Sequence, residues 1–468
     1  MIRRRKLGYS ALFTAALLSG CALGPDYERP EVPLPERYGA EQDAGAEAPS
    51  ISATWWTAFD DPVLVELVDK ALANNADLAQ AAARVEQADA LLRQAGAALF
   101  PELGLDGSAT RSRSSQASGT LPPGAQAVRS NFQVAATTAF ELDFWGRLRR
   151  AREAARAQAL ASRYGRDTVQ LTLTSAVAQS YLTLRALDAQ VAVARETLAS
   201  RERTQELIQR RADAGVASPL EVQQAEVSRA SAAAQLAERI RQRGLITHQL
   251  QVLTGELGLT VPADDLRKLP LPPTPPPGLP SALLDARPDV RQAEALLASS
   301  NALIGVAKAA LFPSISLTGS FGGASAELSD LFDSNARIWS VGAVLDLPLF
   351  DAGRRRARVD EVSAQQREAL AGYIQAVRGA FQEVNDALVN VRQAAEAEEA
   401  LASQLKAARR ALELSEIRYK AGYSGFLEVL DAQRNANQAE QAFIDNRQQR
   451  LIASVSLFKA LGGGWTGQ

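Results

Sequence analysis

The chain has 468 residues, and its 51 Lys and Arg residues nearly balance its 53 Asp and Glu residues, which gives no support for a nucleic-acid-binding surface. A single Cys, a single His and a single Met exclude an intrachain disulfide and a zinc site built from a Cys and His cluster. Beside the lone His248 there is no nucleophile motif and no phosphate loop, so the sequence predicts no enzyme, no metal site and no cofactor.

The N-terminus predicts a signal peptide over residues 1–20, because a basic stretch precedes a short apolar one. The Leu-Ser-Gly-Cys sequence that ends at Cys21 resembles a bacterial lipobox, which implies cleavage before Cys21 and acylation of its thiol. The alternative is an ordinary buried Cys beside a chance apolar stretch. Position 22, directly after the Cys, is Ala and not Asp, which in this lipoprotein class points to the outer membrane. We therefore expect a lipidated, extended N-terminal segment over 21–60.

The sequence from 61 to 257 recurs in part from 287 to 461. The motif Ala-Ala-Leu-Phe-Pro ends at Pro101 and again at Pro313, an offset of 212 residues. Each copy predicts a helix that stops near this motif, two strands, a very long helix, a turn that contains Gly, and a return helix. Between the copies, the Pro-rich segment 258–286 predicts an extended linker.

Two β-hairpins are predicted, at about 103–144 and about 314–349, from side chains that alternate between apolar and polar. The apolar positions include Phe132, Val134, Phe140, Leu142, Trp339, Val341, Leu345 and Leu347. This alternation is typical of transmembrane barrel strands, although a half-buried strand of a soluble sheet gives the same pattern. Four strands per chain are too few to close a barrel, because the practical minimum is about eight. A barrel would therefore require oligomerisation, and a trimer would supply twelve strands.

The long helices are predicted from about 148 to 214 and from about 354 to 421, and each would extend roughly 100 Å at about 1.5 Å per residue. Apolar residues seven positions apart predict coiled-coil-like packing with neighbouring helices. They are Val177, Leu184, Val191 and Leu198 in the first copy, and Val377, Val384 and Val391 in the second.

Each long helix is followed by a turn that contains Gly. In the first turn Gly215 ends the helix, Ser218 is the expected N-cap of the return helix, and Glu221 completes a capping box. In the second turn Gly425 replaces the capping Ser, while Glu428 keeps the third helical position. We expect the second turn to be the looser of the two.

Together these features resemble the outer-membrane factor family, the TolC- and OprM-like exit ducts of tripartite efflux and secretion systems, and the lipoprotein branch of OprM and NodT type fits best. The resemblance covers essentially all of the mature chain, and the order of the motifs makes the set specific. The motifs are Cys21, Gly24-Pro25-Asp26-Tyr27, Trp55-Trp56, Phe59-Asp60-Asp61-Pro62, Phe100-Pro101, Leu142-Asp143-Phe144-Trp145-Gly146-Arg147, Arg287-Pro288-Asp289, Phe312-Pro313, the segment from Leu427 to Arg434 and the segment from Leu457 to Trp465.

The resemblance implies a mixed α and β membrane protein. It would be a homotrimer with a twelve-stranded outer-membrane β-barrel, four strands per chain, continued by a twelve-helix periplasmic α-barrel tunnel. A mixed girdle near the middle of the tunnel would draw on the linker 258–286 and the C-terminal tail 462–468. Solutes such as drugs would pass outward passively, while an inner-membrane pump, of RND type, supplies the energy and a periplasmic adaptor docks at the tip of the tunnel.

The resemblance also implies site residues. The closed periplasmic aperture would be lined by Leu427, Asp431 and Arg434, which share one helix face. The adaptor would meet the two turns, at Gly215, Val216, Ala217 and Ser218 and at Gly422, Tyr423, Ser424 and Gly425. From spacing alone, Asp431 and Arg434 are equally compatible with a solvated helix face, and the turn residues with ordinary turn chemistry.

Three alternatives to an efflux duct remain open from the sequence. One is the outer-membrane channel of a type I protein secretion system. The others are a non-conducting, lipid-anchored envelope tether and a soluble periplasmic scaffold. The sequence does not name the cargo, because drugs, metal ions, solvents and proteins leave through similar ducts.

Overall fold

The computed structural model describes residues 22–35, 37–39, 51–115, 117, 124, 126–276, 278 and 280–465. The predicted signal peptide, the predicted lipidation site Cys21 and the last three residues of the predicted tail lie outside the described residues. Within the described part of the chain, no helix is long and apolar enough to span a bilayer.

The same order of elements, from a helix through two strands to a long helix and a return helix, occurs twice. The first half contains α1 (Pro62–Asn74), α2 (Ala76–Ala97), β1 (Glu102–Arg113), β2 (Val128–Leu142), α3 (Arg147–Asp213) and α4 (Pro219–Thr254). The second half contains α5 (Leu283–Ala286), α6 (Pro288–Ala309), β3 (Ser314–Ser325), β4 (Arg337–Asp346), α7 (Arg354–Lys420) and α8 (Phe426–Ala460). The long helices α3 and α7 have 67 residues each and begin and end within one residue of the predicted positions.

The chain divides into two compact units, and each unit takes segments from both halves of the sequence. Of the described residues, the first unit takes those up to Pro30, those of Arg84–Ser162 and those of Ala293–Tyr373, and the second takes those of Glu31–Ala83, those of Arg163–Gln292 and those from Ile374 onward. The two sequence copies are therefore not two separately folded bodies.

In the first unit, the four strands form one antiparallel sheet in the order β1-β2-β3-β4. Phe140 of β2 pairs with Leu317 of β3, so the two hairpins are joined through their inner strands within one chain. Among the described residues, β1 and β4 have no further strand beside them, which leaves one backbone edge open on each.

A tight junction connects β2 to α3. Gly146 has a φ of 76°, and a Cβ at this position would lie 2.9 Å from the Cα of Ala22, so a larger residue would not fit. The Asp143 carboxylate accepts hydrogen bonds from the backbone N–H groups of Leu148 and Arg149, at 3.0 and 2.9 Å. The motif around Gly146 thus forms a capped start for the long helix.

The core of the second unit contains the N-terminal tryptophan pair, the linker and the helices. Trp55 stacks on Phe458 of α8, with ring centroids 5.6 Å apart. Leu259, Val261 and Leu266 of the linker are buried in the same hydrophobic cluster. The Pro-rich linker is therefore packed against helices along part of its length.

The predicted seven-residue spacing marks the packed side of the long helices in the second unit. The buried positions are Val177, Leu184, Val191, Val377 and Val384. Leu198 and Val391 are half-buried. The predicted spacing is confirmed as the buried side of the helices at these five positions, and coiled-coil-like packing stays a prediction.

Candidate functional site

The strand register places most of the apolar side chains of the four strands on one face of the sheet. Phe140 lies opposite Leu317, and Phe321 lies opposite Trp339. Trp339 is 74% exposed and Val341 is 82% exposed, so this face has no cover within the described chain. We call it the apolar sheet face, and its members are Leu103, Leu105, Ala109, Phe132, Val134, Ala136, Phe140, Leu142, Ile315, Leu317, Phe321, Trp339, Val341, Ala343 and Leu345. A patch of this size marks a surface that meets lipid or another protein.

The opposite face of the same sheet is mainly polar, although Ile338 and Val344 lie on it. The Thr137 hydroxyl donates to the Asp106 carboxylate at 2.7 Å, and the hydroxyls of Ser320 and Ser340 are 2.8 Å apart. The sheet therefore has one face suited to an apolar environment and one suited to water.

The first helical turn, between α3 and α4, is capped by its own residues. The Ser218 hydroxyl accepts a hydrogen bond from the N–H of Glu221 at 3.3 Å, and the N–H of Ser218 donates to the Glu221 carboxylate at 2.8 Å. Gly215 has a φ of 73°, and no atom lies within 4 Å of a Cβ placed there. The predicted capping box is confirmed. Of the predicted docking residues of this turn, Val216 and Ser218 are exposed, whereas Ala217 is half-buried.

The second turn, between α7 and α8, has no such cap. Gly425 is the N-cap of α8 and makes no side-chain hydrogen bond to the helix. Glu428 occupies the expected third position, but its carboxylate pairs with Arg418 of α7 at 3.3 Å. The Ser424 hydroxyl is buried and has no hydrogen-bond partner among the described residues, while Tyr423 is 80% exposed. This turn depends on contacts with the preceding helix more than on local capping.

A hydrophobic cluster holds the ends of the two helical hairpins together just inside the turns. It consists of Ile208 of α3, Ala225 of α4, Tyr419 of α7, and Phe426 and Val429 of α8. The rings of Tyr419 and Phe426 are 5.6 Å apart. Burial raises the pKa of the Tyr419 hydroxyl above its usual range. We call these five residues the tip cluster.

The three predicted aperture residues lie together on one side of α8. Leu427 is 68% exposed. Arg434 pairs with Asp431, and the Asn435 side chain donates to the same carboxylate at 3.1 Å. All of these contacts lie within one helix. An exposed pair of this kind contributes roughly 0–1 kcal/mol, which leaves it available to a competing partner.

The aperture residues line a groove of about 810 Å³ between α4 and α8, with α3 beneath it. We call it the return-helix groove. Its apolar rim is formed by Leu220, Val227, Leu427 and Leu430. Its polar lining consists of Thr197, Gln223, Gln224, Ser228, Ser231, Gln235, Asn437, Gln438 and Gln441, together with Arg201, Asp431 and Arg434.

Arg201 of α3 is the residue of this groove that the sequence analysis missed. Its side chain is buried, with 7% exposed, and burial lowers the pKa of its guanidinium. In the described part of the chain it makes no ion pair and no hydrogen bond. Nothing in the local sequence distinguishes it from the many solvated arginines of α3. Within the same described residues, no group of His, Cys, Asp and Glu side chains is arranged to hold a metal ion.

Comparison with known proteins places this geometry in a family. The sequence model of the outer membrane efflux protein family matches residues 67–256 and 279–463. The outer membrane protein OprJ of Pseudomonas aeruginosa is 38% identical over 469 residues, which cover 99% of this chain and 97% of OprJ. The cation efflux system protein CusC of Escherichia coli is 35% identical over 458 residues, which cover 96% of this chain and 97% of CusC.

The fold is also similar to that of a solved outer membrane channel. The crystal structure of the open state of the Neisseria gonorrhoeae MtrE outer membrane channel superposes with a TM-score of 0.83 at 33% identity, and covers 95% of this chain and 98% of MtrE. Similarity therefore extends over nearly the whole chain in both sequence and structure.

Proposed function

This chain belongs to the outer membrane efflux protein family, and we propose that three copies of it form a closed duct through which solutes leave the periplasm. The protein is an outer-membrane efflux channel component with a mixed α and β fold. The proposal concerns how the duct is assembled, where it closes and which partners it meets.

The observation that carries the proposal is the two-faced sheet. The apolar sheet face is exposed on one chain, and the outer edges of β1 and β4 are unpaired among the described residues. Both features are accommodated if β4 of one copy pairs with β1 of the next, because a closed barrel has no edges. Three copies would give twelve strands, with the apolar face toward lipid and the polar face toward a water-filled lumen.

In the same assembly the helices would form the tunnel. Each chain contributes the two long helices α3 and α7 and the two return helices α4 and α8. Three copies would give twelve helices, which is the tunnel that we propose for the periplasmic part. The buried linker and tryptophan segments would form its girdle.

The proposed closure lies at the start of α8. In a trimer, Leu427 would form an apolar collar and Asp431 a ring of three carboxylates, each beside its own Arg434. Because the pairs are exposed and lie within one helix, little free energy opposes their rearrangement when a partner binds.

The turns are the proposed contact surface for a periplasmic adaptor, which would connect the duct to an energy-supplying pump in the inner membrane. The open space around Gly215, Gly422 and Gly425 allows close backbone approach. The exposed Tyr423 ring offers an apolar contact. Acylation of Cys21 would add a lipid anchor to the barrel.

Single-channel conductance in a planar bilayer tests the proposal. The purified mature chain should be a trimer in detergent and should pass current. Replacing Asp431 and Arg434 by Ala should raise that current, because the ring charges and their pairs are removed together. The matched control replaces Arg410 and Glu413 by Ala, an exposed pair of the same spacing on α7 that is 2.6 Å apart. A chain that is monomeric and soluble without detergent, or that passes no current, would contradict the duct.

A further inference from the structure

We propose that the return-helix groove is a binding site for small amphipathic solutes that carry a carboxylate, with Arg201 as the residue that binds the carboxylate. The inference rests on the proposed duct, because the groove would bind transported solutes beside the aperture. It depends on three observations: the burial of Arg201, the absence of an ion pair or hydrogen bond between it and any described residue, and the composition of the groove.

The burial of an unpaired guanidinium is unfavourable. Moving a charged side chain out of water costs several kcal/mol unless an opposite charge or strong hydrogen bonds compensate. Arg201 is 7% exposed, and none of the described residues pairs with it. Glu416 acts on Arg201 without forming an ion pair with it, so the groove leaves a place for an anion in contact with the guanidinium.

Two arginines close to Arg201, unlike Arg201 itself, form ion pairs with a buried carboxylate. A smaller cavity of about 310 Å³ adjoins the groove and is lined by Arg201, Arg267 and Arg409. Arg267 donates to the buried Glu440 at 2.6 Å, and Arg409 pairs with the other oxygen of the same carboxylate. Glu440 is thus already shared by two arginines.

Two other carboxylates lie in the surroundings of Arg201. Glu196 lines the smaller cavity. The charge of Glu416 on α7 interacts electrostatically with Arg201 without an ion pair. Neither forms an ion pair with Arg201 in the described chain. The groove itself holds the positive charges of Arg201 and Arg434 against the negative charge of Asp431, which leaves one positive charge.

The remaining lining fits a solute with an apolar body. The rim residues Leu220, Val227 and Leu427 are exposed apolar side chains, and the amides and hydroxyls between them can bind polar substituents. The volume lies within the usual range for small-molecule sites, about 300 to 1,000 Å³. A flat ring system with one carboxylate matches both the rim and the buried cation.

Isothermal titration of the detergent-solubilised full-length protein with 2-naphthoate tests the site, with the neutral 2-naphthamide as the matched ligand. Naphthoate should bind, and naphthamide should bind at least about tenfold more weakly, since a hydrogen bond to a charged group is lost. Arg201→Gln should weaken naphthoate binding by about tenfold to hundredfold and leave naphthamide unchanged. Arg201→Lys should give an intermediate affinity, because it keeps the charge without the planar fork.

Arg203→Gln is the control variant, since Arg203 lies two residues away on α3 and is exposed. This substitution changes the net charge of the protein by the same amount as Arg201→Gln. It should bind naphthoate like the parent. Equal naphthoate affinity in the parent and Arg201→Gln, or equal affinity for naphthoate and naphthamide, would overturn the site. Arg201→Gln should also unfold at the same temperature as the parent or higher; a large drop would mean that a carboxylate of another copy neutralises Arg201, and would likewise overturn it.

The outcomes of this test and of the conductance test are separable. A protein that conducts but binds naphthoate independently of Arg201 loses only this inference. A protein that binds naphthoate through Arg201 but passes no current loses the proposed duct.

Discussion

The two helical turns occupy equivalent places in the two halves of the chain, but they are stabilised differently. The first turn has a complete capping box between Ser218 and Glu221, whereas the second has Gly425 at the cap and no side-chain hydrogen bond there. At the first helical position the exposed Pro219 corresponds to the buried Phe426. The first turn is thus stabilised locally, and the second by contacts between helices.

This difference bears on which hairpin can move. Local capping survives a displacement of the helices, because the bonds lie within one turn. Contacts between helices break when the helices separate, and α8, which begins at the second turn, carries the proposed aperture residues. We therefore expect opening of the aperture to involve the second hairpin. The variants below each remove or add one stabilising contact at the turns.

The largest effect is expected for Phe426→Ala, which removes a buried ring from the tip cluster. Truncation of a buried Phe costs about 3–5 kcal/mol, and here the loss should fall on local opening of the second turn. Hydrogen exchange of residues 415–430 should accelerate strongly, and channel conductance should rise. Tyr423→Ala removes an aromatic ring that is exposed and should change neither. Similar exchange in both variants would mean that the cluster does not hold the turn.

Ser218→Ala tests the first turn. Loss of the N-cap should cost about 1 kcal/mol, so hydrogen exchange should accelerate at the start of α4 and leave the start of α8 unchanged. The matched variant Gly425→Ala alters the equivalent position, where no side chain caps the helix, and should have a smaller effect. An equal response at both positions would remove the distinction between the turns.

Glu428→Gln removes the ion pair with Arg418 but keeps the side-chain length. Both groups are partly exposed, so the expected loss is roughly 0–1 kcal/mol. Exchange near the second turn should increase slightly at low ionic strength and not at all in about 1 M salt, where exposed charges are screened. An effect that persists in high salt would point to a packing role for this side chain.

Gly425→Ser should give the smallest change, in the stabilising direction. The backbone of Gly425 has a φ of −78° and a ψ of 161°, which Ser adopts readily, and no atom lies within 4 Å of a new Cβ. With Glu428 already in the third position, Ser could complete a capping box worth a few tenths of a kcal/mol relative to Gly. Slower exchange at the start of α8 and a lower open probability would follow, and Gly425→Ala, which adds a Cβ without a hydroxyl, should not reproduce them.

Much of the architecture was predictable because it depends on local chemistry. The bounds of α3 and α7 follow from Gly at the helix ends, and the capping box follows from the spacing of Ser218 and Glu221. The role of Glu428 was less predictable. Its position in the helix matches the pattern, but its carboxylate pairs with Arg418, whose proximity depends on how α7 and α8 lie against each other.

The sequence by itself determined the two-fold order of elements, the alternation along the strands and the seven-residue spacing of the helices, because each depends on residues close together in the chain. Only the tertiary structure decided that the four strands share one apolar face, since a register shift by one residue would turn a strand over. It also decided that Arg201 is buried and forms no ion pair or hydrogen bond with the described residues, because burial depends on which helices cover a residue and not on its neighbours in sequence.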